Sequence, residues 1–395
     1  MRIAYVTETW PPEINGVSLT VARTVAFLRE RGHAVDVTRP RQPSDADLAP
    51  DGNTLLVPGL PIPGYPGMRF GLPVHSRLVE RWQRFVPDLV HVATEGPLGW
   101  SAISAAQLLE IPITSDFRTR FDQYGRHYGW IGCAGLIRAY LRGFHNRTHL
   151  TCVPTQVMRD ELLNLGIRQV AVHGRGVDTR LFGPHRRDRM LRRLWRAHGP
   201  VALYVGRLAP EKNLGLAIRA YEAMRLVEPT TRFVVVGDGP WRERLRTRCP
   251  EAILCGTLTG EALAAHYASA DVFLFPSLTE TFGNVTVEAM ASGLSVVAYD
   301  SGAAQVLMRD GDNGRLVKRD DEHAFLRAAA DMAADADARD RLGAAARDTA
   351  LALDWDTVLA RFESALTDVA SGTYSAVRPA SAVLSASRNT TVVAE

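Results

Sequence analysis

Two short segments of the chain carry the residue types best suited to an anionic leaving group. The first reads Val205-Gly206-Arg207-Leu208, followed by Pro210-Glu211-Lys212-Asn213. An apolar run ends at Val205, Gly206 turns the chain, and Arg207 and Lys212 both fall near the next helix start. Arginine supplies a planar fork of donors and lysine a compact point charge, a combination suited to the diphosphate of a nucleotide ligand. A solvated basic face with Glu211 paired nearby is the competing reading. Lysine is scarce enough to weigh against it: of 46 basic side chains only Lys212 and Lys318 are lysine, the rest arginine.

The second segment runs Glu280-Thr281-Phe282-Gly283-Asn284-Val285-Thr286-Val287-Glu288-Ala289. On one ideal helix its two carboxylates would stand roughly 12 Å apart along the axis and about 80° apart around it, so they are no close catalytic pair. The pattern instead puts Glu280 in the loop leaving a strand, Gly283 where backbone approaches a ligand, a helix start near Asn284, and Glu288 one turn in. Acceptor, free N–H groups and second acceptor then follow in the order that would hold a sugar hydroxyl, a phosphate and a ribose.

Two glycine turns are weaker signals. Gly16 closes the loop from Glu8 to Val17 just before a helix, where it would either admit a ligand to the helix N-terminus or only make the turn. The loop lacks G-x-G-x-x-G, which counts against a dinucleotide oxidoreductase. Val236-Gly237-Asp238-Gly239-Pro240 has two of those glycines and not the third.

These segments need a scaffold, and the chain alternates short β-branched runs with amphipathic stretches throughout, the pattern of an α/β architecture with mainly parallel sheets. In the first half strands are expected at 3–7, 34–38, 89–92, 113–115 and 151–154, with a helix over 20–31 closed by Gly32. The Pro/Gly-rich stretch 58–73 reads as a long surface loop. A second series begins at 201–205, continues with a helix over 214–224 and has strands at 233–236, 252–255, 272–275 and 295–298. The expected organisation is two Rossmann-like domains facing across a cleft, the place to look for a site. Residues 1–175 form the first domain, 176–200 the connection, 201–352 the second domain, 353–370 a C-terminal helix returning to the first, and 371–395 a disordered tail.

Composition narrows the function. The length of 395 residues suits two domains. A net charge of +3 without a basic stripe argues against nucleic acid. No apolar run is long enough to span a bilayer and no signal-peptide pattern opens the chain, so a cytoplasmic location is expected. Cys133, Cys152, Cys249 and Cys255 form no C-x-x-C pair, so neither a disulfide framework nor a zinc site is indicated.

Taken together and in order, Pro-Pro-x-x-Asn-Gly-Val after the first strand, Gly-Arg-Leu-x-Pro-Glu-Lys-Asn, Val-Gly-Asp-Gly-Pro and Glu-x7-Glu with Phe-Gly between the carboxylates resemble the retaining glycosyltransferases of family 4, which have the GT-B fold. The resemblance covers about residues 1–370. It implies a nucleotide-sugar donor, GDP- or UDP-linked, in the second domain, an acceptor in the first, and neither cofactor nor metal. Carried over by position, Arg207 and Lys212 would neutralise the diphosphate, and Glu280 would contact hydroxyls of the transferred sugar. Phe282, Gly283, Asn284 and Val285 would present backbone to sugar and phosphate, and Glu288 would hold the ribose. Gly16, Gly206 and Asp238 complete the expected donor site. Similarity to mannosyltransferase-like members makes mannose from GDP-mannose the first expectation for the transferred hexose. The family is thought to retain configuration by front-face attack, with a donor phosphate oxygen assisting the acceptor proton.

One departure stands out. Many relatives carry an aromatic-His-Thr segment where this chain has Asp116-Phe117-Arg118-Thr119. Arg118 cannot act as a base at neutral pH, though it could bind sugar or phosphate as a cation. Asp116 or Asp122 could orient a hydroxyl or accept a proton, or could serve only as a helix cap or surface carboxylate. His127 reads as an ordinary polar residue. The substitution motivates an alternative from another class, a non-catalytic nucleotide-sugar-binding protein. A GT-B phosphorylase is disfavoured because only two lysines could form a pyridoxal Schiff base.

Between Leu136 and His149 the chain sets Arg138, Arg142, His145 and Arg147 among apolar residues. A basic amphipathic helix of this kind can lie on an anionic membrane surface, which would suit a lipid-linked acceptor, although a solvated helix packed in the first domain is the commoner case.

Overall fold

The computed structural model describes residues 1–13, 15–43, 45, 52–62, 65–118 and 134–374. Among the described residues nine strands fall in the first half: β1 (Arg2–Val6), β2 (Ala34–Pro40), β3 (Thr54–Val57), β4 (Gly59–Ile62), β5 (Tyr65–Gly71), β6 (Leu89–Val92), β7 (Ile113–Asp116), β8 (Leu150–Val153) and β9 (Val170–Val172). Seven of them make a parallel sheet in the order β3-β2-β1-β6-β7-β8-β9. The second half contributes β10 (Val201–Val205), β11 (Arg232–Val236), β12 (Ile253–Gly256), β13 (Val272–Phe275), β14 (Ser295–Tyr299) and β15 (Arg315–Val317). They form a parallel sheet in the order β12-β11-β10-β13-β14-β15. The chain is therefore an α/β protein of two Rossmann-like domains. The central strands are buried along their whole length, as helix-covered parallel strands must be.

Both sheets reverse their winding once, the first between β1 and β6 and the second between β10 and β13. Loops leaving the carboxyl ends of strands at such a switch point part to opposite faces and leave a crevice. Residues 7–15, 93–96, 206–213 and 276–283 are those loops.

Six helices matter for the site. Asn15 caps α1 (Gly16–Glu30), its side chain accepting from the backbone of Val17 and Ser18. The others are α2 (Pro97–Leu108), α3 (Ala134–His145), α4 (Leu214–Val227), α5 (Asn284–Ala291) and α6 (Trp355–Ala370). α6 lies on the first sheet, where Phe362, Leu366 and Val369 join the core of Ile3, Tyr5 and Leu89. Val177 and Asp354 form a parallel bridge where the chain crosses between domains, with the Val177 amide donating to the Leu353 carbonyl at 3.0 Å.

Three expectations need correction. The stretch 58–73 is no loop: β4 and β5 pair antiparallel across it. Proline and glycine hide the strand period there, and Gly59 is required by crowding, since a Cβ on it would lie 2.9 Å from the Pro40 side chain. Strands β3, β9 and β15 are three or four residues long and lacked a readable period. The third concerns only the form of the connection expected over 176–200: part of it is ordered against the second domain, where Arg187 and Arg192 clasp Asp271 at 2.7 and 2.8 Å and Asp188 caps a short helix, Arg189–Leu194. Residues 119–124, His127 and the tail beyond Tyr374 lie outside the described residues.

Candidate active site

The loops leaving β10 and β11 are one interlocked piece. Gly206 donates to the Val236 carbonyl at 3.0 Å, and Leu208 to the Asp238 carbonyl at 2.9 Å. A Cβ on Gly237 would sit 1.9 Å from the Gly206 carbonyl oxygen, and one on Gly239 would sit 2.5 Å from that of Leu208. The two glycines are there because backbone lies on backbone. The side chain of Asp238 faces its own turn, accepting from the Gly239 amide at 2.7 Å and pairing with Arg242 at 2.8 Å.

This bed presents Arg207 and Lys212. Arg207 forms an ion pair with Glu211, which is fully buried. The Glu211 pair noted in the sequence thus belongs to the interior and not to a solvated face. Lys212 ends a single 3-10 turn, and Asn213, in the left-handed region at φ 52°, starts α4. The Lys212 ammonium bonds the carboxylate of Glu280 and stands 5.6 Å above the Phe275 ring. Ser277 donates to the same Glu280 oxygen at 2.7 Å. The Leu278 amide donates to the Glu211 carbonyl at 3.1 Å, which ties the two motif loops together.

Gly283 takes φ 88° immediately before α5. The Phe282 side chain is buried, and its carbonyl accepts from the Ala303 amide at 2.5 Å, so that backbone oxygen is engaged within the protein. Gly302 permits this contact, because a Cβ there would lie 2.4 Å from the Phe282 oxygen. Glu288 accepts from the Tyr267 hydroxyl at 3.0 Å. Burial pushes its carboxyl up to about 7 even though the Tyr267 bond favours the ionised form.

Across the crevice, a Cβ on Gly16 would come within 3.5 Å of Asn284 Nδ2. The N-termini of α1 and α5 therefore face each other from opposite domains, each offering amides and partial positive charge to an anion. Beside them lies an open cavity of about 280 Å³ between the domains, lined by Thr155 and Met158 from one side and by Glu280, Ser301 and Arg319 from the other.

Asp116 and Arg118 are placed elsewhere. Arg118 is buried and bonds Asp116 through Nε at 2.6 Å, and His91 Nε2 lies 3.1 Å from the same carboxylate oxygen. Burial alone would raise the Asp116 carboxyl, but Arg118 and His91 hold it well below the usual carboxylate range. Neither residue lines the Glu280 cavity.

Sequence reasoning missed several residues. Ser277 is signalled only by its spacing of three from Glu280. Glu8, at the carboxyl end of β1, accepts from the Leu98 amide at the start of α2 at 2.9 Å. Gly96 makes room for it, since a Cβ there would overlap the carboxylate at 2.0 Å. Burial pushes the Glu8 carboxyl up to about 8. Glu95 is buried close by, 3.7 Å from His145 Nε2. No sequence pattern marks this group, which two strand ends and α3 assemble. Among the described residues no group of three or more His, Cys, Asp or Glu side chains could hold a metal ion.

Residues 14–181 match the family described as Glycosyltransferase Family 4, and residues 199–335 the family described as Glycosyl transferases group 1. The chain is 36% identical to a GDP-mannose-dependent alpha-mannosyltransferase of Mycolicibacterium smegmatis, over 93% of this chain and 98% of the relative. It is 35% identical to the protein of the same name from Mycobacterium tuberculosis, over 91% of this chain and 94% of that one. Among solved structures, Anabaena HepE in complex with UDP and glucose superposes with a TM-score of 0.74 at 19% identity, covering 93% of this chain and all of the other. With these matches across both halves and the GT-B frame of facing sheets, the chain belongs to the family 4 glycosyltransferases.

Proposed function

We propose that the protein transfers mannose from GDP-mannose to a hydroxyl acceptor with retention of anomeric configuration. The observation that carries this reading is the meeting of Lys212 with Glu280 beside Arg207, next to the facing N-termini of α1 and α5. Departure of a nucleoside diphosphate builds negative charge, and preorganised cations and helix amides stabilise it without reorganising. In this reading Arg207 and Lys212 take the diphosphate, and Lys212 fixes Glu280 toward the hydroxyls of the sugar. Gly283, Asn284 and Val285 offer backbone at the start of α5, Gly16 lets α1 approach the phosphate, and Glu288 takes the ribose. Gly206 and Asp238 act through the loop that carries Arg207. Glu8 and Glu95, at the ends of β1 and β6, stand on the acceptor side. The identity of the relatives over nearly their whole length supports mannose and GDP.

The acceptor we propose is lipid-linked, reached at an anionic membrane surface through α3. Leu141, Phe144 and His145 hold the inner face of that helix in the first domain, while Leu136 is 74% exposed, Tyr140 is 42% exposed, and Arg138 and Arg142 are exposed as well. Apolar and basic side chains exposed on one helix suit an anionic interface. Among the described residues no helix is long and apolar enough to cross a membrane.

A nucleotide-sugar panel tests the donor. A true donor binds only the native state and raises Tm by mass action. GDP-mannose is expected to raise it more than UDP-glucose, UDP-galactose or GDP-glucose, and an equal or larger shift with a UDP-sugar would replace the donor assignment. NMR of the product anomeric proton then reads retention or inversion.

A further inference from the structure

Under α6, a small polar chamber of about 20 Å³ lies at the carboxyl ends of β7, β8 and β9. Asp116, Arg118, Cys152, His173 and Arg175 line it, and Phe362 of α6 contributes to its roof. The Phe362 ring also meets the rings of His91 and His173 edge-on, at 5.2 and 5.7 Å.

The chamber is short of acceptors. Arg118 is 5% exposed, and its Nη1 is buried without a hydrogen-bond partner. Both ring nitrogens of His173 and the hydroxyl of Tyr5 are in the same condition. A guanidinium has only donors, while the hydroxyl of Tyr5 and one nitrogen of a neutral imidazole can donate as well. The one carboxylate in the lining, Asp116, already receives Arg118 and lies against His91.

The charges do not balance either. Arg118 is matched by Asp116, and Arg175 has no carboxylate within ion-pair distance among the described residues. Burial, with the like charge of Arg118, pushes the Arg175 guanidinium down to about 9, and burial lowers His173 to about 4, so the imidazole is neutral at pH 7. Among the described residues, two guanidiniums and one carboxylate leave one positive charge at the chamber, and a charge held largely out of water is costly without a counterion. Water would satisfy some donors and leave the charge. A small anion would meet the same donors and also cancel the charge.

We propose that this chamber is a binding site for one small monovalent anion of chloride size, held between Arg118 and Arg175. The anion would join the end of β7, where Arg118 stands, to the turn after β9 beneath α6. The inference does not depend on the transferase reading.

The test compares thermal unfolding of the full chain in sodium chloride and in sodium gluconate at equal ionic strength. Saturable stabilisation by chloride is expected, about 2–5 °C at concentrations far above its dissociation constant. Arg175→Met is expected to abolish the difference between the two salts. Equal Tm values for the wild type in both salts would overturn the proposal, as would an undiminished chloride effect in Arg175→Met. Should that variant fail to fold, anomalous diffraction from bromide-soaked wild-type crystals decides. A peak between the two guanidiniums supports the site, and density without one overturns it.

Discussion

Lys212 and Glu280, 68 residues apart in the chain, meet as an ion pair with 13% and 11% of their side chains exposed. One ends the 3-10 turn after β10 and the other lies in the loop after β13, so the contact joins the two sides of the switch point. Lys212→Ala is expected to lower kcat by about 100-fold or more, the scale for loss of one preorganised charge at a leaving group. Lys212→Arg is the sharper test. Its planar fork replaces a compact ammonium packed over Phe275, and a loss of at least about tenfold is expected despite the retained charge. Steady-state kinetics with circular dichroism as a fold control checks both, and near-normal turnover of Lys212→Ala would remove the site assignment.

Glu288 predicts a pH dependence. Its folded carboxyl stands near 7, above the unfolded value of 4.5, so the native state binds more protons between those values. Its contribution to stability is therefore greatest below the unfolded value and declines as pH rises toward 7 and beyond. A carboxylate that accepts from ribose hydroxyls has the opposite preference, so nucleotide affinity should rise from pH 6 to 8 and then level off. Titration calorimetry on wild type and Glu288→Gln checks this, the variant binding more weakly and without the slope. A slope unchanged in the variant would assign it to another group.

Gly237 can be replaced only by moving the Arg207 loop. At φ 136° and with 1.9 Å available to the Gly206 oxygen, Gly237→Ala is expected to cost about 3 kcal/mol or more, combining overpacking with backbone strain. Gly32→Ala is the control: φ 85° strains it, but nothing lies within 4 Å of the added carbon. Denaturant unfolding of both variants separates collision from conformation, and equal destabilisation would mean that the interlocked loops contribute nothing.

The outward face of α3 has its own test. Leu136→Glu is expected to reduce cosedimentation with anionic phospholipid vesicles at least about fivefold, and to leave binding of GDP-mannose unchanged because the exposed Leu136 does not line the Glu280 cavity. Vesicle binding equal to wild type would remove the proposed membrane face.

The placement of the two motif loops was largely legible because each motif is local. Gly206 to Lys212 lies between the end of β10 and the start of α4, and Glu280 to Glu288 runs from the loop after β13 into α5, and short-range pattern specifies such units. Sequence did not reveal that the turn Gly237-Asp238-Gly239 underlies Arg207, because that contact is made by backbone. Nor did it show where Arg118 points. The substitution of arginine for histidine was visible, but the burial of Arg118 depends on His91, on Arg175 and on a roof formed by α6, which begins more than 230 residues later. The carboxylates of Glu8 and Glu95 were silent for the same reason. The hairpin of β4 and β5 escaped because proline and glycine, which ordinarily mark turns, here serve close backbone approach.

The bridge between Val177 and Asp354 has a mechanical meaning. The chain passes between its domains twice, and the passages lie side by side, hydrogen-bonded, with Gly176 pressed against Trp355 so that a Cβ would come within 2.7 Å of its Cα. Two pins set close together resist sliding and twisting and leave one axis of swing. Such a joint narrows the ways in which one domain can move against the other. The faces that carry Gly16 and Asn284 lie on opposite sides of this joint, which therefore limits how they can part.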